Sequence, residues 1–94
     1  MGTGYNIKCI DKGKNMELTM PLEEMVYLLL RREIDLSFHI EALKAQAVAI
    51  RTNLVRASYQ VEISGLDIDP SAKDEYDKKA KKAVEETEGI IITF

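Results

Sequence analysis

The run EALKAQAVAIRT, residues 41–52, lies inside the longest helix that the sequence predicts. Apolar residues recur there at helical spacing and predict a core-facing stripe, made of Leu43, Ala47, Ile50 and Leu54. The intervening alanines raise helix propensity and allow another backbone to pack closely. Because Ser37 is a suitable N-cap, we expect a long central helix from about residue 40 to residue 57 or 58.

A shorter helix is predicted before the central one. Pro21 fits its first turn, and the helix should end at about Arg32. Its expected core stripe leaves out Leu28 and consists of Leu22, Met25, Val26, Leu29 and Leu30.

A third helix is predicted after the central one, with Asp69 as N-cap, Pro70 at the first position and Gly89 as C-cap. Its lysines at 78, 79, 81 and 82 are flanked on both sides by acidic residues and have no aromatic residue among them, which favours a solvated helix face over a binding site.

The remaining segments predict short strands. Residues 5–10 and 15–20 alternate between apolar and polar and indicate a hairpin whose turn places Gly13 at positive φ. Residues 59–63 alternate in a way that permits a short strand, but Gly65 and residues 67–70 break the pattern and favour a loop. Residues 90–94 predict a buried strand that ends at Phe94. The expected fold class is α+β, with small antiparallel strands packed against about three helices.

Composition restricts the class of protein. The 94 residues are 46% hydrophobic and 31% charged, which is typical of a single globular domain. The longest apolar run, residues 25–30, is too short to span a bilayer. A net charge of −3 makes nucleic acid an unlikely partner. With Cys9 and His39 the sole cysteine and histidine, we expect no disulfide framework, no metal site and no cofactor.

Glu33 is the candidate catalytic carboxylate, because it lies where the first helix ends and a connection begins. Apolar residues 28–30 and Ile34 could desolvate it and favour its protonated form, whereas Arg31 and Arg32 would oppose that effect. The residues alone are consistent with two interpretations of Glu33, a surface glutamate that is ion-paired at a helix end and a general acid.

Several stretches together look like the core of the stage II sporulation protein D family, whose members are lytic transglycosylases of bacterial peptidoglycan. The similar stretches are residues 22–25, 32–34, Phe38 and the run at 41–52, together with KKAVEETEGIIITF at 81–94. Helix periodicity does not explain twelve consecutive positions that match with one conservative change, Ile50.

The resemblance implies that Glu33 acts first as general acid and then as base. Glycan strands would be cleaved after N-acetylmuramic acid to give 1,6-anhydro ends, as in sporulation engulfment. It also suggests Arg51, Gln46 and Phe38 as substrate-binding or supporting residues. For Arg51 the alternative is a structural ion pair with Glu33 or Glu41, and for Phe38 it is a core anchor.

Two departures from the family pattern affect this region, Ile34 where a methionine is usual and Asn53 where a tyrosine is usual. We expect the chain, 1–94, to be a single domain that resembles the N-terminal part of the family's catalytic domain, with the second half absent. Two further hypotheses are a non-catalytic module that binds cell-wall glycan or a partner, and an inactive fragment of the enzyme.

The resemblance also implies an extracytoplasmic location that faces the cell wall, although the chain shows no signal or transmembrane segment. The expected partners are peptidoglycan glycan strands and other cell-wall hydrolases. Self-association is expected if an apolar surface is exposed.

Overall fold

A computed structural model describes residues 5–93 and has three helices with a three-stranded mixed sheet. The α+β class expected from the sequence is therefore confirmed. In chain order the elements are β1 (Asn6–Asp11), β2 (Met16–Pro21), α1 (Leu22–Glu33), α2 (Ile40–Arg56), β3 (Gln60–Ile63) and α3 (Glu75–Glu86).

The sheet has the order β2-β1-β3. β1 and β2 form the predicted antiparallel hairpin, but β1 and β3 are parallel, so the expectation of antiparallel strands is wrong for that pair. The reason is topological, because the chain passes through both α1 and α2 before it returns to the free edge of β1. Ile7 and Cys9 point from the central strand into the core.

The hairpin turn differs from its prediction at one position. The left-handed conformation falls on Asn15, with φ of 51°, and not on Gly13. The Asp11 carboxylate accepts a hydrogen bond from the backbone N–H of Lys14 at 3.2 Å, so the turn is closed between residues 11 and 14, just before Asn15. Asparagine tolerates the left-handed region better than most residues do.

α1 is buried on more sides than a single stripe would require. The predicted stripe is buried, and so are Tyr27 and Leu28. They are covered because α1 packs against α2, α3 and the sheet, while the loop after β3 crosses its remaining face. Arg31 holds that loop by donating to the backbone carbonyls of Asp69 at 2.7 Å and Ser71 at 3.2 Å.

The long helix α2 has the predicted core face, with Leu43, Ala47, Ile50 and Leu54 all buried. Its N-cap is His39 and not Ser37, because His39 Nδ1 accepts from the backbone N–H of Glu41 at 3.1 Å. The outer face of α2 carries exposed alanines and no covering element among residues 5–93.

The third helix begins later than predicted. Asp69 is not its N-cap; α3 starts at Glu75, and the Asp74 carboxylate caps it by accepting from the N–H of Asp77 at 2.8 Å. Asp69 instead accepts from the N–H of Ser71, and this turn, together with the contacts of Arg31, keeps the segment non-helical. The helix also ends before Gly89, which lies in the left-handed region with φ of 76°.

The predicted buried strand at residues 90–94 is not found. Within the described residues this segment is irregular, and the side chains of Ile90, Ile91 and Ile92 are exposed. It lies along α2, since the Ile92 N–H donates to Thr52 Oγ1 at 2.9 Å, and no strand pairs with it. Phe94 lies outside the described residues.

A buried ion pair joins the helices. The Arg51 side chain is 0% exposed, and its Nη2 and Nε contact the Glu23 carboxylate of α1 at 2.7 and 3.0 Å. Nη1 donates to the carbonyl of Ile90 at 2.9 Å, and Nη2 lies 3.4 Å from Thr87 Oγ1. One guanidinium therefore connects α2 to α1 and to the segment that follows α3.

The connection between α1 and α2 is fixed by Asp35. Its carboxylate accepts from the backbone N–H of Ser37 at 2.9 Å, and the N–H of Phe38 donates to its carbonyl at 3.1 Å. The hydrogen bond from Ser37 lowers the pKa of Asp35 below its ordinary value of 3.8. Because this turn occupies residues 35–38, α2 begins after it, and His39 stands at the N-cap position in place of Ser37.

We expect Glu23→Gln to lower the free energy of unfolding by about 3 kcal/mol, since a buried guanidinium loses its counter-charge. That is a large part of the about 5–15 kcal/mol typical of small domains. Chemical denaturation checks this, with Glu24→Gln as control, because Glu24 lies in the same helical turn and has no ion pair with any residue from 5 to 93. Equal losses in the two variants would contradict a special role for Glu23.

We expect the turn at Asp35 to loosen in acid. Because the folded pKa of Asp35 is lowered, its contribution is complete above the ordinary value and is lost as pH falls through the folded value. The amide resonance of Ser37 in an NMR titration should therefore move with a midpoint below 3.8. In Asp35→Asn that resonance should stay fixed, since the amide can accept the same bond without titrating. A wild-type midpoint at or above the ordinary value would refute this assignment.

Candidate functional site

A groove of about 370 Å³ lies at the carboxyl end of α1, between α1, α2 and β3. Its base is apolar, and its three polar side chains are exposed. The base consists of Leu29, Ile50, Leu54, Val61 and Ile63, and the polar residues are Arg32, Glu33 and Asn53.

Glu33 is the last residue of α1 and lines this groove. Its carboxylate is exposed and has no hydrogen bond or ion pair with any residue described by the structure. Glu33 is thus a surface glutamate at a helix end, as one interpretation expected, but the expected ion pair is not found among residues 5–93. Of residues 28–30, Leu29 lines the groove, whereas Leu28 and Leu30 are buried in the core.

Gln46 is half-buried on α2, four residues before Ile50 and seven before Asn53, so all three share one helix face. Its side chain makes no hydrogen bond with any of residues 5–93. Because no buried side-chain polar atom in those residues lacks a partner, the Gln46 amide is accessible and not buried without one. Gln46 is not part of the groove lining, but it lies on the same face of α2 as Ile50 and Asn53, and its amide can bind a ligand.

Phe38 lies outside the groove lining and is 52% exposed, so the core-anchor interpretation is wrong. Its carbonyl accepts from Lys79 Nζ at 2.7 Å, which ties the connection to α3. Two other lysines of the basic run are paired with helix carboxylates, Lys78 with Glu75 and Lys82 with Glu86. These contacts agree with a solvated helix face.

Arg51 does not reach the groove, because its guanidinium is buried and occupied between α1 and the segment after α3. The expected ion pair exists, but its partner is Glu23 and not Glu33 or Glu41. Glu23 was not predicted as the ion-pair partner of Arg51. An acidic residue in the first turn of α1 is explained equally well by the helix dipole, so no local signal identified it.

Arg32 is the groove residue that sequence reasoning did not assign to a site. Its Nη1 donates to the carbonyl of Ser64, just after β3, at 2.8 Å. That contact joins residues 32 positions apart and depends on the parallel return of β3, which the sequence pattern did not predict. The available signal was its position beside Glu33.

The described part of the chain has no group of three or more acidic, histidine or cysteine side chains that could hold a metal ion. Cys9 is buried in β1, where burial raises the pKa of its thiol, and His39 caps α2. No described helix combines the length and the apolar character that a membrane crossing requires.

Comparison with known proteins gives a match to a protein family. The family described as Stage II sporulation protein matches residues 11–94, which include the groove, the α1–α2 connection and all three helices. Neither the curated proteins nor the solved structures gave a match. Because the match extends over most of the sequence, the chain belongs to the Stage II sporulation protein family, a family of sporulation-related proteins.

Proposed function

We propose that this chain is a lytic transglycosylase-type domain that acts on peptidoglycan glycan strands, with Glu33 as the catalytic residue. The observation that carries the proposal is a carboxylate without a partner among residues 5–93, in a groove with an apolar base and a polar edge. Sugar rings present both apolar faces and hydroxyl groups, and such a groove can contact both.

One carboxylate is sufficient for this reaction. Glu33, protonated, donates its proton to the glycosidic oxygen after N-acetylmuramic acid as the bond from C1 to that oxygen breaks. The 6-hydroxyl of the same sugar attacks C1, and its proton passes to the Glu33 carboxylate. The products are a 1,6-anhydro end and a free hydroxyl on the departing strand, and Glu33 is protonated again. The sugar supplies the nucleophile, so the second carboxylate of ordinary glycosidases is not required.

The other residues support this reaction in different ways. The Gln46 amide lies on the α2 face that carries Ile50 and Asn53, outside the groove lining, and is a candidate for hydrogen bonding to a sugar substituent. The exposed ring of Phe38 is a candidate for stacking on a sugar outside the groove. Arg51 acts indirectly, by holding α1 against α2 and so fixing the helix that presents Glu33.

The proposal extends to location and partners. A domain that cleaves peptidoglycan works outside the cytoplasmic membrane, facing the wall, and other cell-wall hydrolases act on the same polymer. Self-association is also proposed, because three consecutive isoleucines at 90–92 are exposed beside the uncovered face of α2.

Glu33→Gln should reduce the release of anhydro-ended sugars from peptide-free glycan strands by about 10²- to 10⁴-fold, the usual effect of losing a general acid. Mass spectrometry of the products measures this. Glu85→Gln is the matched control, because Glu85 is exposed on α3, away from the groove. Unchanged release by the Glu33 variant would refute the proposal. If neither wild type nor variant releases sugars but both retain glycan strands in a pull-down, the chain is a binding module.

Gln46→Ala should weaken binding of glycan strands by about two- to tenfold, the range expected for one uncharged hydrogen bond. Alanine preserves the helix, so the thermal midpoint should not fall. The control is Gln60→Ala, which removes the same side chain from an exposed position on β3, on the opposite side of the strand from the groove residues Val61 and Ile63. Titration calorimetry with the Glu33→Gln protein as background measures binding without turnover. Equal affinities for the two alanine variants would remove Gln46 from the site.

A further inference from the structure

Arg32 separates two depressions on the surface. It lines the groove that contains Glu33, and it also lines a neighbouring depression of about 350 Å³ between α1 and the loop after β3. The hydrogen bond from its Nη1 to the Ser64 carbonyl fixes one end of the guanidinium against the end of β3. The group is therefore held in place before any ligand arrives.

The charge of Arg32 is not balanced within residues 5–93. No carboxylate in that part of the chain lies within 4.0 Å of its guanidinium, and the Ser64 carbonyl is its one described hydrogen-bond acceptor. Its neighbour Arg31 differs sharply, with Asp67 and Asp77 at 3.9 and 3.7 Å and several carbonyls as acceptors. The N–H donors of Arg31 are thus occupied by the loop, whereas Arg32 has N–H donors available for a ligand.

Arg32 is also the one cation among the described residues that line the groove, and it is next to Glu33 in the chain. A guanidinium presents paired N–H donors that match the two oxygens of a carboxylate, and such charge-assisted bonds are stronger than neutral ones. The donors that Ser64 does not use suit an anionic substituent close to the position where Glu33 acts.

We propose that Arg32 is a specificity-determining residue that binds a substrate carboxylate beside the bond protonated by Glu33. This inference rests on the proposed function. In a peptide-free strand the carboxylate is the lactyl group of N-acetylmuramic acid, and in a peptide-bearing strand it belongs to the stem peptide, since the lactyl group is then an amide. Arg32 thereby selects for the muramic acid side of the bond and against neutral glycans.

The test compares binding to three glycan preparations by titration calorimetry, using Glu33→Gln protein so that no turnover occurs. The preparations are peptide-free strands, the same strands with their carboxyl groups chemically reduced to alcohols, and peptide-bearing strands. Arg32→Gln in this background should bind peptide-free strands about ten- to a hundredfold more weakly, as expected for lost bonds to a charged group. It should bind the reduced strands no more weakly than the parent does.

Two controls separate recognition from a structural role. Arg32→Lys keeps the charge but not the paired donors, so it should give an intermediate loss. The parent protein itself should prefer peptide-free to reduced strands by the same ten- to hundredfold, a comparison that needs no variant of Arg32.

The proposal is overturned if the parent binds both carboxylate-bearing preparations no better than reduced strands. It is also overturned if Arg32→Gln loses equal affinity for all three. A loss confined to one of the two carboxylate-bearing preparations supports the proposal and identifies the source of the carboxylate. Because calorimetry requires no catalysis, these outcomes are distinct from failure of the proposed function, which shows as unchanged product release by Glu33→Gln.

Discussion

The packing of the helices depends on one buried guanidinium, that of Arg51, which requires a counter-charge and hydrogen-bond acceptors. Arg51 lies in the middle of α2 with no exposed surface, and a cation in such a place is costly unless other elements supply oxygen atoms. The Glu23 carboxylate of α1, the Thr87 hydroxyl and the Ile90 carbonyl supply them. Since each of these groups has little positional freedom, the requirement sets how α1 and the segment after α3 pack on α2, and hence where the end of α1 lies.

Much of the fold follows from local patterns. The core stripe of α2, the hairpin and the existence of three helices were predictable, because apolar periodicity reflects which face is buried. The errors arose where distant residues compete for the same backbone groups. Ser37 loses the N-cap role to His39 because the turn at Asp35 keeps residues 35–38 outside α2. α3 starts late because Arg31 binds the carbonyl of Asp69, 38 residues away. The apolar periodicity of the sequence contains no information about such competition.

The candidate site was predictable to a similar degree. Glu33 was identified from its position at a helix end and from the family resemblance, and the structure places it in a groove. Arg51 was assigned a possible structural role, but its partner could not be identified because several glutamates have suitable spacing. Arg32 was missed as a site residue, because its orientation depends on Ser64 and thus on a parallel strand pairing that alternation alone does not determine.

The parallel pairing of β1 with β3 has a consequence for the order of assembly. Lys8 pairs with Gln60, so this contact closes a loop that contains the hairpin, α1 and α2. Contacts of such long sequence separation cost chain entropy that local contacts do not, and they generally form after the local elements have packed. Val61 and Ile63 of β3 belong to the apolar base of the groove. We therefore expect the groove to be among the last regions to form during folding and the first to open in denaturant, while α1 and α2 stay associated.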